Sequence, residues 1–330
     1  MAITDTLADY FGFEEHGTDL RTEIVAGVTT FLTMSYIVVV NPAILTAFPD
    51  DNIPGGIAVE GYSPTAVFQM LAVVTILSAA VAIFVMAFYA NRPFGLAPGL
   101  GLNAFFAITV VGVLGVPWQT ALAAVVTEGF IFIVLTAVGL REYVINLFPE
   151  PVKFSVGTGI GLFLAIIGLQ AMGVVVDDPA TMVTLGSVAS DPVAILSVFG
   201  LFLTFALYAA GIRGSIIVGI LLTTLVGWGL TLAGFFARGT LTPESIPAPQ
   251  YDITPLAGAF LQGFANVDGF VFALVVFTFF FVDFFDTAGT LVGVGQAGGF
   301  LDEDGNFPDM DKPLMADAVG TTVGGMLGTS

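Results

Sequence analysis

The chain has 330 residues, 56% of them hydrophobic and only 10% charged, with a mean hydropathy of +0.98 and a net charge of −19. That composition excludes an ordinary soluble domain and points to a polytopic membrane protein. The acidic balance argues against nucleic acid as a partner, and the absence of cysteine excludes disulfides and thiolate metal sites.

Residues 1–22 form a tail carrying Asp5, Asp9, Glu14 and Glu15, the wrong sign for a cleaved signal peptide. Apolar stretches of roughly 20 residues suffice to cross a ~30 Å hydrocarbon core. Nine such spans are predicted, at 23–46, 65–90, 95–115, 117–139, 154–175, 191–210, 214–236, 270–295 and 313–328. Short interfacial helices are expected at 141–153 and 255–267. The segments 47–63, 176–190, 239–255 and 296–312, rich in Pro, Gly and Asp, read as solvent-facing loops.

The third span opens at Pro93 to Phe105 with two prolines and three glycines, which cannot sustain a full helix. Extended backbone is expected to about Leu100, then a half-helix from Gly101. Broken helices at membrane depth occur where they line a cavity, and in transporters they commonly form the substrate site. Glu128, in mid-span four, needs a buried partner or a water-filled pocket. Span eight carries Asp283 and Asp286 three residues apart on one helical face, extended by Thr287 and Thr290. An intramembrane carboxylate costs several kcal/mol, so these acids are expected to face a substrate path, and the predicted activity is transport. The loop acids Asp302, Glu303, Asp304, Asp309 and Asp311 read as solvated. The twelfth position of a calcium loop begun at Asp302 is Pro313, so no metal site is predicted.

With the N-terminus in the cytoplasm, Arg21, Arg92, Arg141, Lys153, Arg213 and Lys312 all fall inside and Arg238 alone outside, in accord with the positive-inside rule. This places the protein in the cell membrane as a multi-pass protein. The acid-rich tails and loops further suggest a salt-loving source, since salt screens their repulsion.

Five strings, in order, resemble the nucleobase–cation symporter family in its azaguanine-type branch of adenine, guanine and hypoxanthine permeases. They are Glu23 to Ile37 (Glu-Ile-Val-Ala-Gly-Val-Thr-Thr-Phe-Leu-Thr-Met-Ser-Tyr-Ile), Val40-Asn-Pro-Ala-Ile-Leu45, Ala97-Pro-Gly-Leu-Gly-Leu-Asn-Ala-Phe-Phe106, Asp283-Phe-Phe-Asp-Thr-Ala-Gly-Thr-Leu291 and the run from Ala316 to Ser330. The resemblance implies an all-α transporter fold of two inverted seven-span repeats, with a core domain, a gate domain, broken helices and short strands at mid-membrane. About nine of fourteen spans would be present, the chain stopping where the tenth begins, ahead of a further purine-binding glutamate. On that scheme 1–22 is the cytoplasmic tail and 23–139 holds core spans one to four. Residues 140–236 hold gate spans five to seven, 237–269 an extracellular loop and interfacial helix, and 270–330 core spans eight and nine with the start of ten.

The resemblance also implies the site. Asp283 matches a substrate-binding acid and Asp286 a second functional acid, while Gly101, Asn103 and neighbouring Ala104 lie at the span-three positions near the base. Asp283 and Asp286 are the candidates for ion coupling, joined by Glu128 on its depth in span four alone, where a structural pairing inside the core bundle is the alternative. The expected activity is secondary import of a purine base by cation symport, with protons as the first candidate and sodium left open, and with no cofactor and no catalytic residues. The expected partners are the purine and the lipid bilayer, with homodimerisation open. The rival readings are a uracil/xanthine or anion carrier on the same fold, or a truncated membrane protein that does not transport.

Overall fold

A computed structural model describes residues 3–47, 55–147, 149–244, 247–265, 267–302 and 307–330. The elements in chain order are α1 (Ile3–Phe11), α2 (Leu20–Met34), α3 (Ile37–Leu45), α4 (Pro64–Val85), α5 (Leu100–Ala104), α6 (Trp118–Ala137), α7 (Leu140–Leu147) and α8 (Glu150–Ala171). These are followed by β1 (Val175–Asp178), β2 (Met182–Leu185), α9 (Pro192–Ala209), α10 (Ser215–Leu232), α11 (Phe260–Gly263), α12 (Gly269–Gly298) and α13 (Asp311–Leu327). Among the described residues, six helical stretches are long and apolar enough to cross a membrane: Leu20–Leu45, Pro64–Ala90, Trp118–Ala137, Pro192–Ala209, Ser215–Leu232 and Gly269–Gly298. Leu100–Val113 and Thr158–Ala171 are shorter apolar helices. Phe202, Leu225 and Phe270 stand exposed on their helices, as side chains facing lipid do.

Local sequence explains where the elements start and stop. Asp19 caps α2, accepting the Thr22 N–H at 2.7 Å, and these bonds hold its carboxyl below the usual aspartate range. Ser63 caps α4 ahead of Pro64 at its first turn, and Asp268 caps α12 through the N–H groups of Phe270 and Val271. The first predicted span is two helices, parted at Ser35 and Tyr36, with Pro42 removing a further rung inside α3. The predicted loop at 176–190 contains an antiparallel hairpin, Val175 opposite Leu185 and Asp178 opposite Met182. Its β-branched run folds back because Asp178 accepts the N–H groups of Ala180 and Thr181. Those bonds also hold Asp178 below its ordinary range. Among the described residues this is the one sheet, and 91–99 belongs to neither helix nor strand. Glu303 and Asp304 of the acidic loop lie outside the described residues.

The chain forms two compact units, Met1–Tyr36 with Ile166–Ile246, and Ile37–Ala165 with Pro247–Ser330. In the first, α9 and α10 pack through reciprocal glycine–threonine contacts. A β-carbon on Gly200 would meet Thr223, and one on Gly219 would meet Thr204, so the helices approach as closely as glycine allows. In the second, α13 lays small residues against α6: a β-carbon on Gly129 would lie 2.5 Å from Thr322 Oγ1. The apolar core of this unit gathers Met70, Leu71, Phe106, Leu122, Val125 and Phe279, with Phe106 and Phe279 stacked at 6.2 Å.

Candidate functional site

The second unit contains a cavity of about 330 Å³, within the range of small-molecule sites. One wall is backbone. After the left-handed Asn91 the chain forms neither helix nor strand through 99, is extended at Gly99, then enters α5, which widens into π-helical turns at Phe105–Val113. Gly95 to Leu102 line the cavity, because Pro98 and three glycines, with Pro93 just ahead, keep this stretch from closing into a helix that would fill it. The facing wall is polar: Asp283, Asp286, Thr287 and Thr290 from α12, and Asp317 and Thr321 from α13. The two walls nearly touch, since a β-carbon on Gly99 would sit 2.9 Å from Asp286 Oδ2. Gly99 is the N-cap of α5, so the Asp286 carboxylate lies at the positive end of that helix.

Asp283 is 8% exposed, and its Oδ2 has no hydrogen-bond partner among the described residues. Behind it Glu128 is wholly buried on α6 and faces the Asp283 carboxyl, and neither of its carboxyl oxygens has a hydrogen-bond partner among the described residues. Asp317 and Arg141 act on the same pair electrostatically. Three carboxyls, those of Glu128, Asp283 and Asp317, therefore share the field of one guanidinium, and Asp286 lies in the field of Asp317. Arg141, predicted to mark a cytoplasmic loop, is 1% exposed. It bonds the Leu314 carbonyl at 3.0 Å and Asp317 at 2.8 Å, and its guanidinium lies 3.9 Å from the centre of the Phe132 ring.

The predicted site residues thus divide into a layer at the cavity and a layer beneath it. Asp283, Asp286 and Gly101 line the cavity, while Glu128 lies behind Asp283. Asn103 and Ala104 are buried one layer away. The Asn103 amide is engaged on both sides, donating to Asn41 Oδ1 and accepting from the Ser330 hydroxyl. Asn41 in turn donates to Thr75 at 2.7 Å and to Thr329 at 3.0 Å. Sequence reasoning singled out neither Asp317 nor Arg141 nor Asn41. Asp317 was open to the rule that flagged Asp283, an acid inside an apolar span. Arg141 sits beside a span end, where a topological role is the default reading of a cation.

Comparison with known proteins bears on this geometry. The model of the xanthine/uracil Permease family matches residues 21–330. A permease of Methanocaldococcus jannaschii is 41% identical over 97% of the chain and 68% of its own length. The adenine permease AdeP of Escherichia coli K12 is 38% identical over 97% of the chain and 66% of its own length. The guanine/hypoxanthine permease PbuG of Bacillus subtilis is 37% identical over 97% of the chain and 69% of its own length. The chain spans about two thirds of the length of these relatives.

Proposed function

Because the chain belongs to the xanthine/uracil Permease family, we propose that it is the purine-binding part of a secondary active nucleobase transporter. The observation that carries the reading is the cavity between the broken third span and the carboxylate wall of α12. A purine is flat, uncharged and edged with N–H donors and ring-nitrogen acceptors. The Asp283 carboxylate accepts N–H bonds from such an edge, and the backbone at 95–102 offers the complementary donors and acceptors. Gly99 and Gly101 let the base approach the main chain closely. Asp283, Asp286 and Gly101 contact the base in this reading, with Asn103 and Ala104 setting the half-helix beneath it. The names of the relatives AdeP and PbuG support the substrate class.

Four acids against one arginine do not suit an anionic substrate; they suit a neutral base accompanied by a cation. Coupling then follows from charge. A proton taken up by the Glu128–Asp283 pair, or a sodium ion held among carboxylate, carbonyl and threonine oxygens, relieves the repulsion in the wall and raises affinity for the base. The fold we propose is the inverted seven-span repeat, with nine spans in this chain, the N-terminus in the cytoplasm, core spans in 23–139 and 270–330 and gate spans in 140–236. Uptake by the complete protein in proteoliposomes tests the reading. Saturable entry of adenine, guanine or hypoxanthine driven by an imposed proton or sodium gradient is expected, and Asp283→Asn is expected to lose it. Equal rate and pH dependence in Asp283→Asn overturns the assignment.

A further inference from the structure

We propose that Arg141 is a positioning residue of this site, acting through Asp317 and Thr287 to hold α12 and α13 together as one carboxylate wall. The inference deepens the permease reading and rests on it.

Three observations carry it. Arg141 is held at both terminal nitrogens and over one face: Nη1 donates to the Leu314 carbonyl at 3.0 Å, Nη2 donates to Asp317 Oδ2 at 2.8 Å, and the Phe132 ring covers the guanidinium at 3.9 Å, while Nε has no partner among the described residues. A side chain so fixed, 1% exposed, is a rigid post rather than a solvated charge. Second, Asp317 Oδ2 also accepts the Thr287 hydroxyl at 3.0 Å, so one oxygen joins α7, α13 and α12. Thr287 follows Asp286 directly and lies one turn beyond Asp283, so the orientation of this stretch of α12 decides where both acids point. Third, Asp317 itself lines the cavity.

Packing alone would not require this arrangement. Replacing a buried ion pair by apolar side chains is often neutral or stabilising, whereas removing one partner leaves an uncompensated charge. Here that charge would stand in the cavity wall, facing Asp283, Asp286 and Glu128. The tie therefore sets the alignment of the two cavity helices and the number of free carboxylates that the base and its cation meet.

The test is purine uptake by the complete protein, at matched membrane abundance, across pH. Arg141→Met is expected to raise KM for the base roughly 10-fold or more and to displace the pH profile, since a small misplacement at a site is worth up to ~100-fold. Asp317→Asn in that background is expected to recover most of the KM, because the uncompensated carboxylate is gone and the two positions act as one unit. Should Arg141→Met fail to accumulate, Arg141→Lys and Thr287→Val cut the same connection more gently and are expected to shift KM in the same direction. An unchanged KM and pH profile in the variants that fold, or equal KM losses that Asp317→Asn does not relieve, overturn the tie and leave the purine site standing. No saturable uptake by the wild-type protein overturns the permease reading and this inference with it.

Discussion

Two buried polar regions lie side by side in the second unit, and they are built on opposite rules. The asparagine knot of Asn41, Thr75, Asn103, Thr329 and Ser330 is neutral, and each of its two amides is bonded through both nitrogen and oxygen. The carboxylate wall of Asp283, Asp286 and Asp317, with Glu128 behind it, sets four acids against a single arginine, and buried oxygens of Glu128 and Asp283 have no hydrogen-bond partner among the described residues. A completed network fixes a backbone, and the knot fixes the half-helix whose start lines the cavity. An incomplete one keeps bonding capacity for something that arrives and leaves. Polarity in a membrane span is thus a poor guide to binding by itself: Thr329 and Ser330 of the knot line the cavity too, but their bonds are already made, whereas Glu128 and Asp283 hold open ones.

Mutation sharpens this contrast. The largest expected effect is on the wall: Asp283→Asn should weaken purine binding about 10–100-fold, the value of a charged hydrogen bond, with the melting temperature kept or raised. Asn41→Ala should do the reverse. It strands the Asn103 amide and should cost about 2–3 kcal/mol in detergent melting, with the KM of the surviving protein changing far less than in Asp283→Asn. A large KM change without loss of stability would show that the knot belongs to the site. Smaller still is Gly129→Ala, which places a β-carbon against Thr322 and should cost about 1–2 kcal/mol, whereas Gly161→Ala, with open space around it, should melt as wild type. Least is Asp19→Ala, at an exposed cap. The Asp19 carboxyl is held below its ordinary range, so its contribution is complete above the unfolded aspartate range and fades as pH falls through the lowered folded value. Hydrogen exchange at the start of α2 should therefore rise in the variant at neutral pH, match wild type in strong acid, and leave uptake untouched.

The apolar runs were legible because a 20-residue hydrophobic stretch has few alternatives, and the break at 91–99 was legible because proline and glycine forbid the helix. Asp283 and Asp286 stood out as acids where none is affordable without a purpose. Tertiary pairing was hidden. Nothing local to Arg141 shows that Asp317, 176 positions later, will bury it. Nor does the sequence around Asn103 show that Asn41 and Ser330 will occupy its amide. The hairpin at 175–185 was missed because a Pro- and Asp-bearing segment reads as a loop until its β-branched flanks find each other.

The central claim is that the carboxylate of Asp283 holds a purine. The most direct test is a titration of purified complete protein with adenine, guanine and hypoxanthine, following binding by calorimetry for wild type and for Asp283→Asn. The account predicts saturable binding of at least one base to wild type, about 10–100-fold weaker binding to Asp283→Asn, and a ligand-free melting temperature of the variant no lower than that of wild type. Equal affinity in the two proteins, or no purine bound by wild type, would contradict it.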